Sequence, residues 1–137
     1  MGCEYFDRYT ESVYSRVNRL TPDELKRSAV EYGCLYKGLL PADKSLPVLE
    51  IGCGGGSFLY FLGKQGYTNI YGIDISAQQV DLCRQQVTDQ VEAADGLEFL
   101  KDKNGRYSLI AVHDVLEHIP KEKVLTFVAL ARAALID

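Results

Sequence analysis

The chain has 137 residues, 47% of them hydrophobic and 25% charged, which suits one folded domain and excludes a disordered segment. Its 19 acidic and 15 basic side chains leave a net charge of −4, and the acidic excess lies entirely in residues 48–137, the opposite of a nucleic-acid footprint. No run approaches the roughly 20 apolar residues that span a bilayer, so no membrane partner is expected.

The N-terminus lacks an apolar signal region, and Phe6 stands where a myristoylation signal wants Ser or Thr. Tyr5, Phe6, Tyr9, Val13, Val17 and Leu20 then fall on one side of a helix. Thr21-Pro22-Asp23-Glu24 ends it and starts another, with Thr21 as cap, Pro22 in the first turn and Glu24 closing a capping box. That second helix carries Leu25, Ala29, Tyr32, Tyr36 and Leu39, and Pro41 and Pro47 bracket a linker.

From residue 48 the pattern becomes alternating strands and helices. Strands are expected at 48–52, 70–74, 91–94 and 107–113. A helix at 57–65 follows the first. The capping-box run Ser76-Ala77-Gln78-Gln79 opens the next, with Val80, Cys83 and Val87 inward. Residues 97–100 form a short helix, Asn104-Gly105 a turn, and Pro120 starts a last helix with Val124, Val128, Ala131 and Leu135 inward. Strands separated by helices of this length pair in parallel with right-handed crossovers, giving an α/β, doubly wound sheet. The fourth strand is too apolar to leave an edge in water, and the chain ends with the helix after it. Either the sequence is an N-terminal fragment, the preferred expectation, or a dimer forms through residues 107–113.

The four cysteines, Cys3, Cys34, Cys53 and Cys83, form neither a zinc C-x-x-C pair nor a disulfide framework. Reduced thiols in a cytoplasmic protein are expected.

The chemistry centres on Glu50-Ile51-Gly52-Cys53-Gly54-Gly55-Gly56, a strand running into a glycine turn and then a helix. Such a turn brings bare backbone close to a ligand and aims helix N–H groups at it. Ser57 stands where a dinucleotide fingerprint needs Gly or Ala, and no Gly-Lys-Ser/Thr of a Walker loop is present. Cys53, with no basic neighbour, is a small loop filler rather than a nucleophile.

The E-x-G-x-G-x-G run of Glu50, Gly52, Gly54 and Gly56 resembles motif I of the class I S-adenosylmethionine-dependent methyltransferases. The resemblance continues in order through Asp74 ending strand two, Ala94-Asp95-Gly96 after strand three, and His113-Asp114-Val115-Leu116-Glu117-His118-Ile119-Pro120 after strand four. This last segment is similar to that of small-molecule methyltransferases of quinone-biosynthesis and sugar-modifying types. The resemblance implies a Rossmann-like, mainly parallel sheet with strand order 3-2-1-4 and two N-terminal helices. Residues 1–47 would form a helical cap and 48–137 an incomplete cofactor-binding domain.

It also implies roles. Asp74 would accept both ribose hydroxyls, a charge-assisted arrangement. Ile75 would pack on adenine, and Asp95, beside Gly96, would accept from its amine or cap the next helix. Glu50 would lie near the methionine ammonium, with Gly52, Cys53, Gly54 and Gly56 shaping the loop around the ligand and His113 and Asp114 bordering the methionine end. Tyr9 and Arg16 are candidates for the methionine carboxylate. Asp114, Glu117 and His118 share a face if they lie on a helical turn, which suits a base or local capping; no complete metal site is expected. His118 is the candidate base.

The expected reaction is methyl transfer from S-adenosylmethionine, leaving S-adenosylhomocysteine, to a small-molecule acceptor such as an oxygen on a quinone, phenol or sugar. A binding module that catalyses nothing alone is the alternative. A nicotinamide-dependent oxidoreductase shares the topology but is opposed by Ser57 and by residues 113–120.

Overall fold

The computed structural model describes residues 20–136. The first expected helix, with Tyr9 and Arg16, lies outside them. The second forms as α1, Pro22–Leu35. Both halves of its capping box are present: Thr21 Oγ1 accepts from the Glu24 N–H at 3.3 Å, and Glu24 Oε2 accepts from the Thr21 N–H at 2.9 Å. Thr21→Ala is expected to destabilise the fold by about 1 kcal/mol, measurable by denaturant unfolding. The helix stops earlier than the apolar stripe implied. Tyr36 is its C-terminal cap, and Leu39, expected on the buried face, is exposed in the turn that follows.

The remaining elements are β1 (Val48–Ile51), α2 (Ser57–Lys64), β2 (Ile70–Asp74), α3 (Ala77–Gln86), β3 (Val91–Ala93), α4 (Gly96–Leu100), β4 (Leu109–Val112) and α5 (Lys121–Ala134), with a 3-10 turn at Leu116–His118. The four strands form one parallel sheet in the order β3-β2-β1-β4, as expected. Both faces are covered. On one, Leu49, Ile51 and Ile73 pack with Leu100 of α4 and Phe127 and Ala134 of α5. On the other, Val48 packs with Phe58, Phe61 and Leu62 of α2 beneath Tyr32 of α1, while Leu59, Val80, Cys83 and Val91 form the continuation under α3. A parallel strand buried on both sides must read as an unbroken apolar run, and β1 is buried at all four positions.

Two expectations need correction. The buried face of α5 runs through Phe127 and Ala134, while Val128 is exposed. Both choices keep helical spacing from Val124, and the face holding the larger aromatic surface is the one that enters the core. The fourth strand is also shorter than 107–113. Ser108 donates its N–H to the Pro47 carbonyl at 2.8 Å, before the ladder with β1 begins. Tyr107 bridges Leu135 in parallel, and the Ile136 N–H donates to the Tyr107 carbonyl at 2.8 Å. The edge of β4 is therefore already paired at its first end.

Candidate functional site

Strand register assembles the site. Ile51 stands opposite Ile73 and Val112, so the next residues, Gly52, Asp74 and His113, emerge side by side at the carboxyl ends of β1, β2 and β4. Ala93 pairs with Asp74, which brings Asp95 to the same rim two residues later. These tips border a cavity of about 950 Å³. Glu50, Gly52, Cys53, Gly54, Asp74, Ile75, Asp95, Gly96, His113, Asp114 and His118 all line it.

Gly56 does not line the cavity. It has φ +93°, and a Cβ there would lie 2.4 Å from Cys83 Sγ, so this glycine lets α3 approach the loop. Gly52, at φ +77°, faces Val115, whose Cγ2 would be 2.3 Å from an added Cβ. Either position excludes an L side chain on conformation and on space. The loop is fixed to β2 by the Gly52 and Cys53 N–H groups, which donate to the Ile73 carbonyl at 2.8 and 3.0 Å.

Asp74 tethers the same loop. Its Oδ2 accepts from the Gly54 N–H and its Oδ1 from the Ser76 N–H, both at 2.8 Å. Burial raises its pKa above the usual carboxylate value, opposed by these two bonds. Each carboxylate oxygen still has a second lone pair for a ligand hydroxyl. Beside it Ile75 stays 41% exposed on the cavity wall, an apolar surface open to a ligand. Asp95 caps α4, its Oδ1 accepting from the Leu97 and Glu98 N–H groups at 2.9 and 3.1 Å. The capping role expected of it is thus present, and both bonds fall on one oxygen.

Glu50 is the most unusual group. Strand alternation puts it on the same face as Val48, under α1 and α2, where it is 3% exposed. Its Oε1 pairs with His113 Nδ1 at 3.1 Å, and its Oε2 has no hydrogen-bond partner among the described residues. Burial pushes its pKa up to about 7, against the stabilising His113 and with the Asp74 charge adding to the rise. A buried carboxylate at a cavity wall with one oxygen unpartnered is costly unless a donor reaches it. His113 is held in turn by the Tyr36 hydroxyl, 2.5 Å from Nε2, and by rings of Phe58, Tyr36 and Tyr32 with centroids 4.8, 5.7 and 5.8 Å away.

Tyr36 and Tyr32 were expected only as packing residues of a helical stripe. The available signal was their polar tip, since a buried tyrosine hydroxyl needs a partner. The thiol of Cys53 is held protonated by its bond with the Cys83 thiol, by burial and by the nearby carboxylates Glu50 and Asp74, consistent with a loop filler.

The Asp114, Glu117 and His118 group departs from the expected helical face. Asp114 takes a left-handed φ of +51°, outside any helix, and Glu117 and His118 sit exposed in the 3-10 turn. All three line the outer cavity. No group able to hold a metal ion occurs among the described residues.

A parallel doubly wound sheet with a glycine turn after β1 and carboxylates at the ends of β1 and β2 has the layout of a Rossmann-like nucleotide-binding domain. A family model described as a methyltransferase domain matches residues 6–134, and the chain belongs to that family. It is 32% identical over 82 residues to a ubiquinone biosynthesis O-methyltransferase of Coxiella burnetii, covering 56% of this chain and 34% of that protein. The chain thus spans about a third of the length of the curated relatives it matches. Among solved structures it is similar to magnesium protoporphyrin IX methyltransferase from Synechocystis PCC 6803 with bound S-adenosylhomocysteine. The TM-score is 0.65 at 22% identity, covering 96% of this chain and 66% of that one. It is similar also to phosphoethanolamine N-methyltransferase 1 of Haemonchus contortus, with a TM-score of 0.73 at 18% identity, covering 97% and 29%. At these identities the structural likeness speaks for the fold.

Proposed function

We propose that the chain binds S-adenosylmethionine in the cavity at the strand ends and serves methyl transfer to a small-molecule acceptor, at oxygen. The observation that carries this is Glu50: a buried carboxylate on the wall of the same cavity as Asp74, with one oxygen that no described residue partners, an arrangement that suits a cationic donor such as an amino-acid ammonium. Asp74 would take the ribose hydroxyls on its remaining lone pairs, Ile75 the adenine face, and Asp95 the adenine amine. Gly52 and Gly54 would admit the ligand chain, and His113 and Asp114 would border its methionine end. When bound, the cofactor supplies a methyl group made electrophilic by its sulfonium.

The protein's part is positioning. In-line displacement gains most from aligning nucleophile and electrophile and from excluding water. Tyr32 and Phe58 form an apolar wall beside Glu50. His118 on the exposed outer rim is the candidate to accept the acceptor's proton. The oxygen acceptor rests on likeness to the ubiquinone-pathway relative. Adjacent, free and buried Cys53 and Cys83 fit a reducing cytoplasm.

A second reading is a cofactor-binding module that needs more protein to catalyse. The short span relative to its relatives favours it, as does β4, whose residues are only half-buried. That edge would take a further strand or a second copy. Incubation with methyl-labelled S-adenosylmethionine and a panel of phenols, quinols and amines tests both readings. We expect labelled phenol or quinol ether. Label on amines alone would remove the oxygen assignment. Ligand binding without any transfer would establish the module reading, and no binding would overturn both.

A further inference from the structure

We propose that Tyr36 is a positioning residue for the ligand: its hydroxyl sets the tautomer of His113, so that His113 presents an N–H to Glu50 and Glu50, on the cavity wall, stays anionic. This rests on the cofactor assignment above and adds a residue outside the cavity wall.

The geometry is a three-member chain running from the cavity outward. Glu50 and His113 line the cavity, and Tyr36 does not. Tyr36 reaches His113 Nε2 at 2.5 Å from the end of α1, across 77 residues of sequence, and His113 Nδ1 reaches Glu50 Oε1 at 3.1 Å. Both ring nitrogens are therefore occupied, and a neutral imidazole carries one proton between them. If Tyr36 donates to Nε2, the proton sits on Nδ1 and points at Glu50, a charge-assisted bond that favours the carboxylate. If Nε2 carries the proton, Nδ1 offers Glu50 a lone pair, and the bond then requires a protonated Glu50.

A phenol is a better donor than acceptor, because its oxygen lone pair is delocalised into the ring. Tyr36 therefore selects the first arrangement. The rings of Phe58 and Tyr32 hold the imidazole plane, so the choice of proton position, more than ring orientation, depends on the hydroxyl. The other titratable groups facing this chain are Asp74 from β2, Cys53 in the glycine turn, Cys83 behind it and Tyr32 from α1. None of them presents a cation to Glu50. Among the described residues, His113 thus supplies the favourable partner of Glu50 until a ligand ammonium arrives.

Tyr36→Phe removes the hydroxyl and keeps the ring. Calorimetry would compare S-adenosylhomocysteine, which has the ammonium, with 5′-methylthioadenosine, which lacks it, between about pH 6 and 8, either side of the Glu50 value of about 7. We expect the variant to bind S-adenosylhomocysteine about fivefold more weakly at neutral pH, the equivalent of one neutral hydrogen bond. The loss should diminish as pH rises, with methylthioadenosine binding unchanged. Parallel pH profiles for variant and wild type, or equal loss for both ligands, would overturn the proposal in favour of simple packing. The chain has only two histidines, so nitrogen NMR resolves their tautomers without any ligand. His113 protonated at Nδ1 in the wild type, and redistributed in Tyr36→Phe, is expected; the Nε2 tautomer in the wild type would overturn it. Failure of the wild type to bind either nucleoside would sink the cofactor assignment, while the NMR result still decides the tautomer.

Discussion

Replacing Asp74 with alanine is expected to weaken S-adenosylhomocysteine by about 1.5–3 kcal/mol, the range for hydrogen bonds to a charged group. The same change should lower the stability of the fold. Asp74 is the partner of two backbone N–H groups, of Gly54 and Ser76, on two different loops. Alanine leaves both without it, at about 1–3 kcal/mol for each that stays buried. The two effects separate with Asp74→Asn, which keeps the shape and one acceptor oxygen but loses the charge. We expect the asparagine variant to recover much of the stability and little of the affinity. Calorimetry beside denaturant unfolding reads both, and unchanged affinity in both variants would remove Asp74 from the ligand.

The second large effect is on pH dependence. Glu50 has a folded pKa of about 7 against 4.5 for an unperturbed carboxyl, so the folded chain binds its proton more tightly than the unfolded chain. A raised carboxyl pKa stabilises the fold fully below the unfolded value. That contribution is lost as pH rises through the folded one. Between roughly pH 4.5 and 7 the protein should lose on the order of 3 kcal/mol through this group, at 1.36 kcal/mol per unit. Glu50→Gln keeps the volume and removes the titration, so its unfolding free energy should be flatter over that window. Identical slopes for the two proteins would show that Glu50 does not carry the shift. Ligand binding runs the other way: an ammonium beside Oε2 favours the ionised form, so affinity should rise across neutral pH as stability falls.

Much of this was legible locally. The glycine turn, the cap at Thr21, the strand end at Asp74 and the helix cap at Asp95 each depend on residues within a few positions of one another, and the structure forms all of them. Strand order was legible too, because short βαβ crossovers leave few topologies open. The contact between Tyr36 and His113 was not, since no local rule joins groups 77 residues apart. On α5, Val124, Ala131 and Leu135 are partly buried as expected, but Phe127 replaces Val128 on the inner face, because positions three and four after Val124 both keep helical spacing and only the neighbouring β1, β2 and α4 decide between them. The backbone at Asp114 was not legible for another reason. The shared face of Asp114, Glu117 and His118 required a helical turn, and the backbone at Asp114 instead turns left-handed, a conformation aspartate tolerates better than most residues.

A crystal structure of the chain soaked with S-adenosylhomocysteine bears most directly on whether the strand-end cavity holds an adenosine-bearing ligand. We expect density with both ribose hydroxyls on Asp74, adenine against Ile75, and the amino group against the oxygen of Glu50 that has no protein partner. Density elsewhere on the surface, or a clear cavity under saturating ligand, would contradict the assignment.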